Sequence, residues 1–279
     1  MKKEWIRNED GKLGKRRRKC PSKRQEEQIA LGLPIQYSSN VSLLNPDDRT
    51  RLSNLLHCYD QFFLEASLSR YVPAPNLVLL RLNELFIRKR PIYVNFVSFF
   101  KHLPEAQTLH VDDQVLLIKQ NIRLIMSLNY AIFRTPNDSP FRCARIRTID
   151  CVDNINMHEV LRDLAESFVE FVAFNPLLIK LLIVVLFFTT NSLTTRAIYD
   201  FGEYKHLNLI QRIQQSYLEL FWLYMLEKYG EKTTVRLYTR MIMKYLHIQM
   251  VIDQMDRVIE MNHDLENLDS LMKTMLQLT

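Results

Sequence analysis

The sequence predicts an all-α protein, and three observations predict it. Apolar residues recur at steps of three and four over most of the chain, the spacing that lines one face of a helix. Only one stretch, CARIRTID at 143–150, alternates as a strand does. Glycine is scarce: the five glycines stand at 11, 14, 32, 202 and 230, too scattered to build a loop that cradles phosphate. With 279 residues and 47% hydrophobic content, the chain is long enough for one large domain with a tail.

The net charge of +6 is unevenly spread. Residues 1–24 hold eleven Lys or Arg against Glu4, Glu9 and Asp10, a local +8, which leaves −2 for the rest. This leader has no hydrophobic periodicity and is expected to be disordered alone. Its run Lys15-Arg16-Arg17-Arg18-Lys19 suits an acidic nuclear import receptor, or phosphates in a salt-sensitive, non-specific way. A plain solvated charge run is the alternative. Residues 25–43, with Gly32, Pro34 and Ser38-Ser39, read as a hinge, and 44–279 as the domain.

Cys20, Cys58, Cys143 and Cys151 form no C-x-x-C pair, and no two histidines stand four apart on a helix, so no metal site is expected. Free thiols and the absence of a signal-peptide core point to a reducing compartment. The longest apolar run, Leu177 to Phe188, is interrupted by Lys180 and falls short of the roughly 20 residues that span a bilayer, so it reads as a buried helix rather than a membrane anchor. No nucleophile, metal set or carboxylate pair assembles from spacing, which argues against an enzyme.

In chain order, Asn45 is expected as an N-cap with Pro46 at the first helical position, and Leu52, Leu55, Leu56, Tyr59 and Phe63 as the apolar face of that helix. Residues 77–87 read as a short helix. Pro91 then fits the first turn of a separate helix through Phe96, Val97 and Phe100 that ends at Lys101, before Pro104. Asp112 or Asp113 is expected to cap the next helix, which runs to Phe133 with Val115, Leu116, Ile118 and Ile122 as its stripe. Apolar residues around most of its circumference imply a central layer. Lys101 and Lys119 would rim a crevice floored by Val97, Val115 and Ile118, a groove for a partner helix.

Further on, 157–174 and 177–190 read as helices parted at Asn175-Pro176, and His206 to Tyr229 as another, stopped by Gly230. Thr233 to Met261 forms the last long helix. Its stripe of Met241, Tyr245, Ile248 and Ile252 serves as core, as a dimer contact, or as both.

The string Phe100-Lys101-x-Leu103-Pro104, then Leu109, then Asp113-Gln114-x-x-Leu117-Ile118-Lys119 resembles the signature of nuclear receptor ligand-binding domains. Tyr217-Leu218-x-Leu220-Phe221-Trp222 is similar to the family as well. The resemblance implies a three-layer antiparallel helical sandwich of about 10–12 helices with one small β-hairpin at 143–150 beside a ligand pocket. It implies a ligand-responsive transcription regulator in the nucleus, binding coregulator helices of L-x-x-L-L type and forming homo- or heterodimers with another receptor. The alternative is a ligand-independent protein that sequesters receptor partners or coregulators. No cofactor is implied beyond a lipophilic small-molecule ligand. The family's zinc module is not in this chain, so no sequence-specific reading of DNA is expected.

Carried over residue by residue, the coregulator groove comprises Val97, Lys101, Val111, Gln114, Val115, Ile118 and Lys119. Leu271, Thr274 and Met275 of the mobile last helix close it. Lys101 would meet the carbonyl end of the bound helix, where a cation suits the macrodipole, although a solvated helix-end lysine is the plain alternative. Ile92, Phe96, Met126, Tyr130 and Arg134 are the pocket positions, and all of them also suit a filled core. Two departures stand out. The family's Gly-Phe after the proline is Glu105-Ala106, which predicts a looser groove base, and the glutamate of the last helix is Thr274.

Overall fold

The computed structural model describes residues 42–65, 78–80, 82–134, 146–148, 157–190 and 203–260. All of them belong to the unit Pro34–Thr279; a second unit, Met1–Leu33, lies outside the described residues. The expected leader, most of the hinge, and the last helix with Leu271, Thr274 and Met275 likewise lie outside them, as do Cys20, Cys143 and Cys151.

The described residues are overwhelmingly helical. Helix α1, Pro46–Tyr59, starts as expected. Asn45 Oδ1 accepts from the Asp48 amide at 2.8 Å while Asp48 Oδ2 accepts from the Asn45 amide at 3.2 Å, a reciprocal box that satisfies two amides no helix bond can reach. Ahead of it, a single oxygen, Glu227 Oε2, accepts from Ser42 Oγ at 2.7 Å and from the amides of Leu43 and Leu44 at 2.7 and 3.0 Å. The Ser42 hydroxyl, followed by these amides, holds the Glu227 carboxyl below the usual range.

A π-helical stretch, Asp60–Glu65, extends α1 and buries Phe63. Strand β1, Val78–Leu80, precedes α2, Leu82–His102. The two helices expected over 77–101 are therefore one. Pro91 sits inside it, exposed, and Ile87, whose carbonyl loses its donor, is exposed too, so water can replace the missing bond. Packing of the buried face, Tyr93, Phe96, Phe99 and Phe100, overrides the local break.

A one-turn helix α3, Pro104–Gln107, leads into α4, Val111–Arg134. Neither Asp112 nor Asp113 is the cap. Both lie within the first turn, and the His110 ring accepts from the Asp112 amide at 3.2 Å. Helix α4 touches α2 and four later helices, α5 (Met157–Glu166), α6 (Val169–Phe174), α7 (Pro176–Phe187) and α9 (Glu231–Glu260). Its buried residues include Leu116, Leu117, Ile122, Leu124, Ile125 and Leu128, while Val115 of the expected apolar stripe is exposed.

The expected helix 157–174 breaks at Ser167-Phe168. Ser167 Oγ donates to the Leu164 carbonyl at 2.6 Å, and the Ser167 carbonyl accepts from Lys244 Nζ at 2.6 Å. Helix α7 begins where Asn175 Oδ1 accepts from the Leu177 amide at 3.1 Å. From Leu178 to Phe187 it is buried all round, as its composition requires. Buried Asn121 of α4 donates to the Phe187 and Thr189 carbonyls at 3.0 and 2.9 Å, covering the end of α7. Helix α8, Leu207–Tyr229, ends at Gly230, whose φ of 72° is left-handed, and α9 starts at the next residue.

Strand β2, Ile146–Thr148, falls within the stretch expected to be strand-like, but its partner is β1, in parallel, with Val78 opposite Ile146 and Leu80 opposite Thr148. Among the described residues the strand pairing thus joins distant segments rather than the arms of a hairpin.

Candidate functional site

The turn between α2 and α4 is held by side chains whose roles spacing alone does not announce. Gln114 Nε2 donates to the Ala106 and Leu109 carbonyls, both at 3.0 Å, and Gln107 Nε2 to the Lys101 carbonyl at 3.0 Å. Leu103, Ala106 and Leu109 point inward. Gln114, predicted as a groove residue, spends its amide on the connector.

Asp113 is fully buried. Its Oδ1 accepts from the Lys205 amide at 2.7 Å and its Oδ2 from the His206 amide at 3.1 Å, with His206 Nδ1 at 3.2 Å. A buried carboxylate needs such donors, and here they tie the start of α4 to the start of α8. Asp112, one residue earlier, is exposed and pairs with Lys205 Nζ at 2.6 Å. That hydrogen bond pulls its carboxyl below the usual range.

Glu105 corrects the expected looseness. Its Oε2 accepts from Tyr217 Oη at 2.6 Å, and its Oε1 lies 3.4 Å from Arg51 Nε. Burial, and then this carboxylate, push the Tyr217 hydroxyl far up. The base of the connector is therefore anchored to α1 and α8. An aromatic ring still lies there, contributed by α8 rather than by the connector.

With these residues turned inward, Val111 and Val115 are 61% and 44% exposed, one helical turn apart on α4. Ile118 and Lys119 follow, half-buried, and Val97 on α2 is half-buried. Lys101, at the last turn of α2, is exposed and forms no ion pair among the described residues. This leaves an apolar strip on α4 and an uncommitted cation at the end of α2.

Of the predicted pocket residues, Phe96 is fully buried, edge-on to Phe63 and Phe100 with centroids 5.0 and 4.7 Å away. Ile92 and Met126 are half-buried. Tyr130 and Arg134 belong to the last two turns of α4, and their side chains lie outside the described residues.

Of the readings open for the α9 stripe, the core one fits its burial. Met241, Tyr245, Ile248 and Ile252 are all buried within the single chain, because their face of α9 packs against its own domain. Another apolar stripe on the same helix is open. Val235, Met243, Leu246 and Met250 are exposed, Met243 and Met250 by 64% and 63%. Helix α9 is braced by Arg240, which grips both Glu170 oxygens at 3.0 and 2.9 Å, and by Lys244 at 2.8 Å from Glu170.

Two features give no sequence signal. Tyr59 Oη donates to buried Asn129 Oδ1 at 2.7 Å, and Lys180 Nζ meets Asp60 Oδ1 at 2.6 Å while lying 4.5 Å from the Tyr59 ring centroid. Each joins residues tens of positions apart. Among the described residues no group of His, Cys, Asp and Glu could hold a metal, and no helix is long and apolar enough to cross a membrane. Compared with known proteins, the chain matches no family model and no curated sequence.

Proposed function

We propose that this chain is a ligand-responsive transcription regulator domain of the nuclear receptor ligand-binding type, non-enzymatic and nuclear, that recruits amphipathic coregulator helices and pairs with a receptor partner. The finer architecture, a three-layer helical sandwich, belongs to the same proposal. The observation that carries it is the division of labour within one short motif. Leu103, Leu109, Asp113 and Leu117 turn inward, Gln114 ties the connector, and Lys101, Val111 and Val115 stay open to a partner. An L-x-x-L-L helix offers leucines for the valines and free carbonyls for Lys101.

Fluorescence anisotropy of a labelled L-x-x-L-L peptide tests the groove. The parent binds, Val115→Asp abolishes binding, and Thr274→Glu, which adds a charge for the peptide's N-terminal amides, tightens it about ten-fold. Equal binding by parent and Val115→Asp rules the groove out. For pairing, the open stripe of α9 is the contact, so Met243→Asp lowers association in sedimentation while Arg236→Asp, off the stripe, lowers it less.

The second reading, a ligand-independent protein that sequesters partners, is favoured by Thr274 standing in place of the clamp's glutamate. Thermal stabilisation by members of a lipophilic compound library supports the first reading; peptide binding without any such stabilisation supports the second.

A further inference from the structure

Thioethers and imidazoles are neutral side-chain donors that a soft metal cation accepts readily. Helix α9 carries three of them, Met243, His247 and Met250, at steps of four and three, which places them on one face with successive β-carbons about 5–6 Å apart. All three are turned to water. Met243 and Met250 are 64% and 63% exposed, and His247 is exposed as well, while Tyr245, Ile248 and Gln249 between them are buried. The packing of α9 on its own domain therefore fixes which donors stand outward.

The fold makes no use of the imidazole: His247 forms no hydrogen bond or ion pair among the described residues. The basic residues of the neighbouring turns are drawn aside to α6. Arg240 holds both Glu170 oxygens at 3.0 and 2.9 Å, and Lys244 Nζ lies 2.8 Å from Glu170 Oε1 and donates to the Ser167 carbonyl at 2.6 Å. We propose that Met243, His247 and Met250 form a surface site for a soft monovalent cation, Cu(I). The set contains no carboxylate and no thiolate, so it lacks what calcium, magnesium and structural zinc require. Its neutral donors suit a cation of low charge and low coordination number. Met243 also belongs to the stripe read above as the pairing contact, so a seated cation and a receptor partner exclude one another, but the site does not depend on that reading.

The probes are Cu(I), supplied anaerobically from a bicinchoninate buffer, and Zn(II). They are titrated into the full chain carrying isotopically methyl-labelled methionine, its accessible thiols first capped with N-ethylmaleimide so that they do not take the metal. Methyl NMR of the parent should show Cu(I) moving the signals that Met243→Leu and Met250→Leu identify by their loss, with Zn(II) leaving them in place. His247→Ala should weaken Cu(I) uptake at these signals by at least about ten-fold. Leu246→Ala, which trims the same ridge without removing a donor, should leave uptake unchanged. Cu(I) that leaves both signals still, uptake there that survives His247→Ala, or an equal response to Zn(II) overturns the inference. The substituted positions are exposed, and circular dichroism checks that each variant is folded; should one not fold, the remaining variants decide.

Discussion

Lys180 on α7 and Lys89 on α2 are both drawn away from water, and they are supplied very differently. The Lys180 side chain is 8% exposed and has an acid at 2.6 Å, Asp60, with the Tyr59 ring beneath its ammonium. The pair joins the π-helical stretch after α1 to the apolar helix α7, and both partners come from the protein itself. Lys89 lies one turn before buried Tyr93 on α2 and pairs with no acid among the described residues. A cation that brings its own counter-ion into the core is a fastener. One that lacks it is held at a cost to the fold. Lys101 makes a third case, unpaired but in water, where being unpaired costs nothing.

The largest effect should come from orphaning the fastener. Asp60→Ala leaves Lys180 enclosed without its acid and should lower stability by about 2–3 kcal/mol, below the full range for a buried pair because Asp60 is 46% exposed. Lys180→Met, which removes the enclosed charge, should stay within about 1 kcal/mol of the parent. Chemical denaturation of the two variants measures the asymmetry, and equal losses would break the distinction.

Lys89→Met should act in the opposite direction. With the folded pKa of Lys89 at about 8, below its ordinary 10.5, the unfolded chain holds the proton more tightly than the fold does. The penalty is therefore full below pH 8 and fades as pH rises toward 10.5. Lys89→Met should stabilise the ligand-free protein by about 1–3 kcal/mol at pH 7, with the gain shrinking between pH 8 and 10.5. A constant gain across that range would mean that packing, not charge, is responsible. Smallest in stability is Lys101→Ala, expected within about 0.5 kcal/mol in denaturation while weakening L-x-x-L-L peptide binding several-fold.

These lysines also mark how far the sequence could be read. Asn45 and Pro46 are legible because a cap is a local device, complete within four residues. The continuity of α2 through Pro91 is not, since a proline's local cost is outweighed by an aromatic face that only the folded domain completes. Periodicity on α9 identifies residues that share a face but not whether the domain already covers it. Hence Met241 and Ile248 read as core, contact or both, while Met243 and Met250 went unread. Asp113 reads as a cap because its partners, the amides of Lys205 and His206, stand 92 and 93 positions away. Glu105 reads as a loss for the same reason, with Tyr217 lying 112 positions on. Lys101, Val111 and Val115 were read as open positions, and all three are exposed.

Glu227 gives the entrance of the domain a mechanical character. One carboxylate oxygen near the end of α8 holds the hydroxyl of Ser42 and two successive amides. The chain entering α1 is thus pinned to the end of α8 through three donors that share one acceptor, so loss of that single carboxylate would release all three at once.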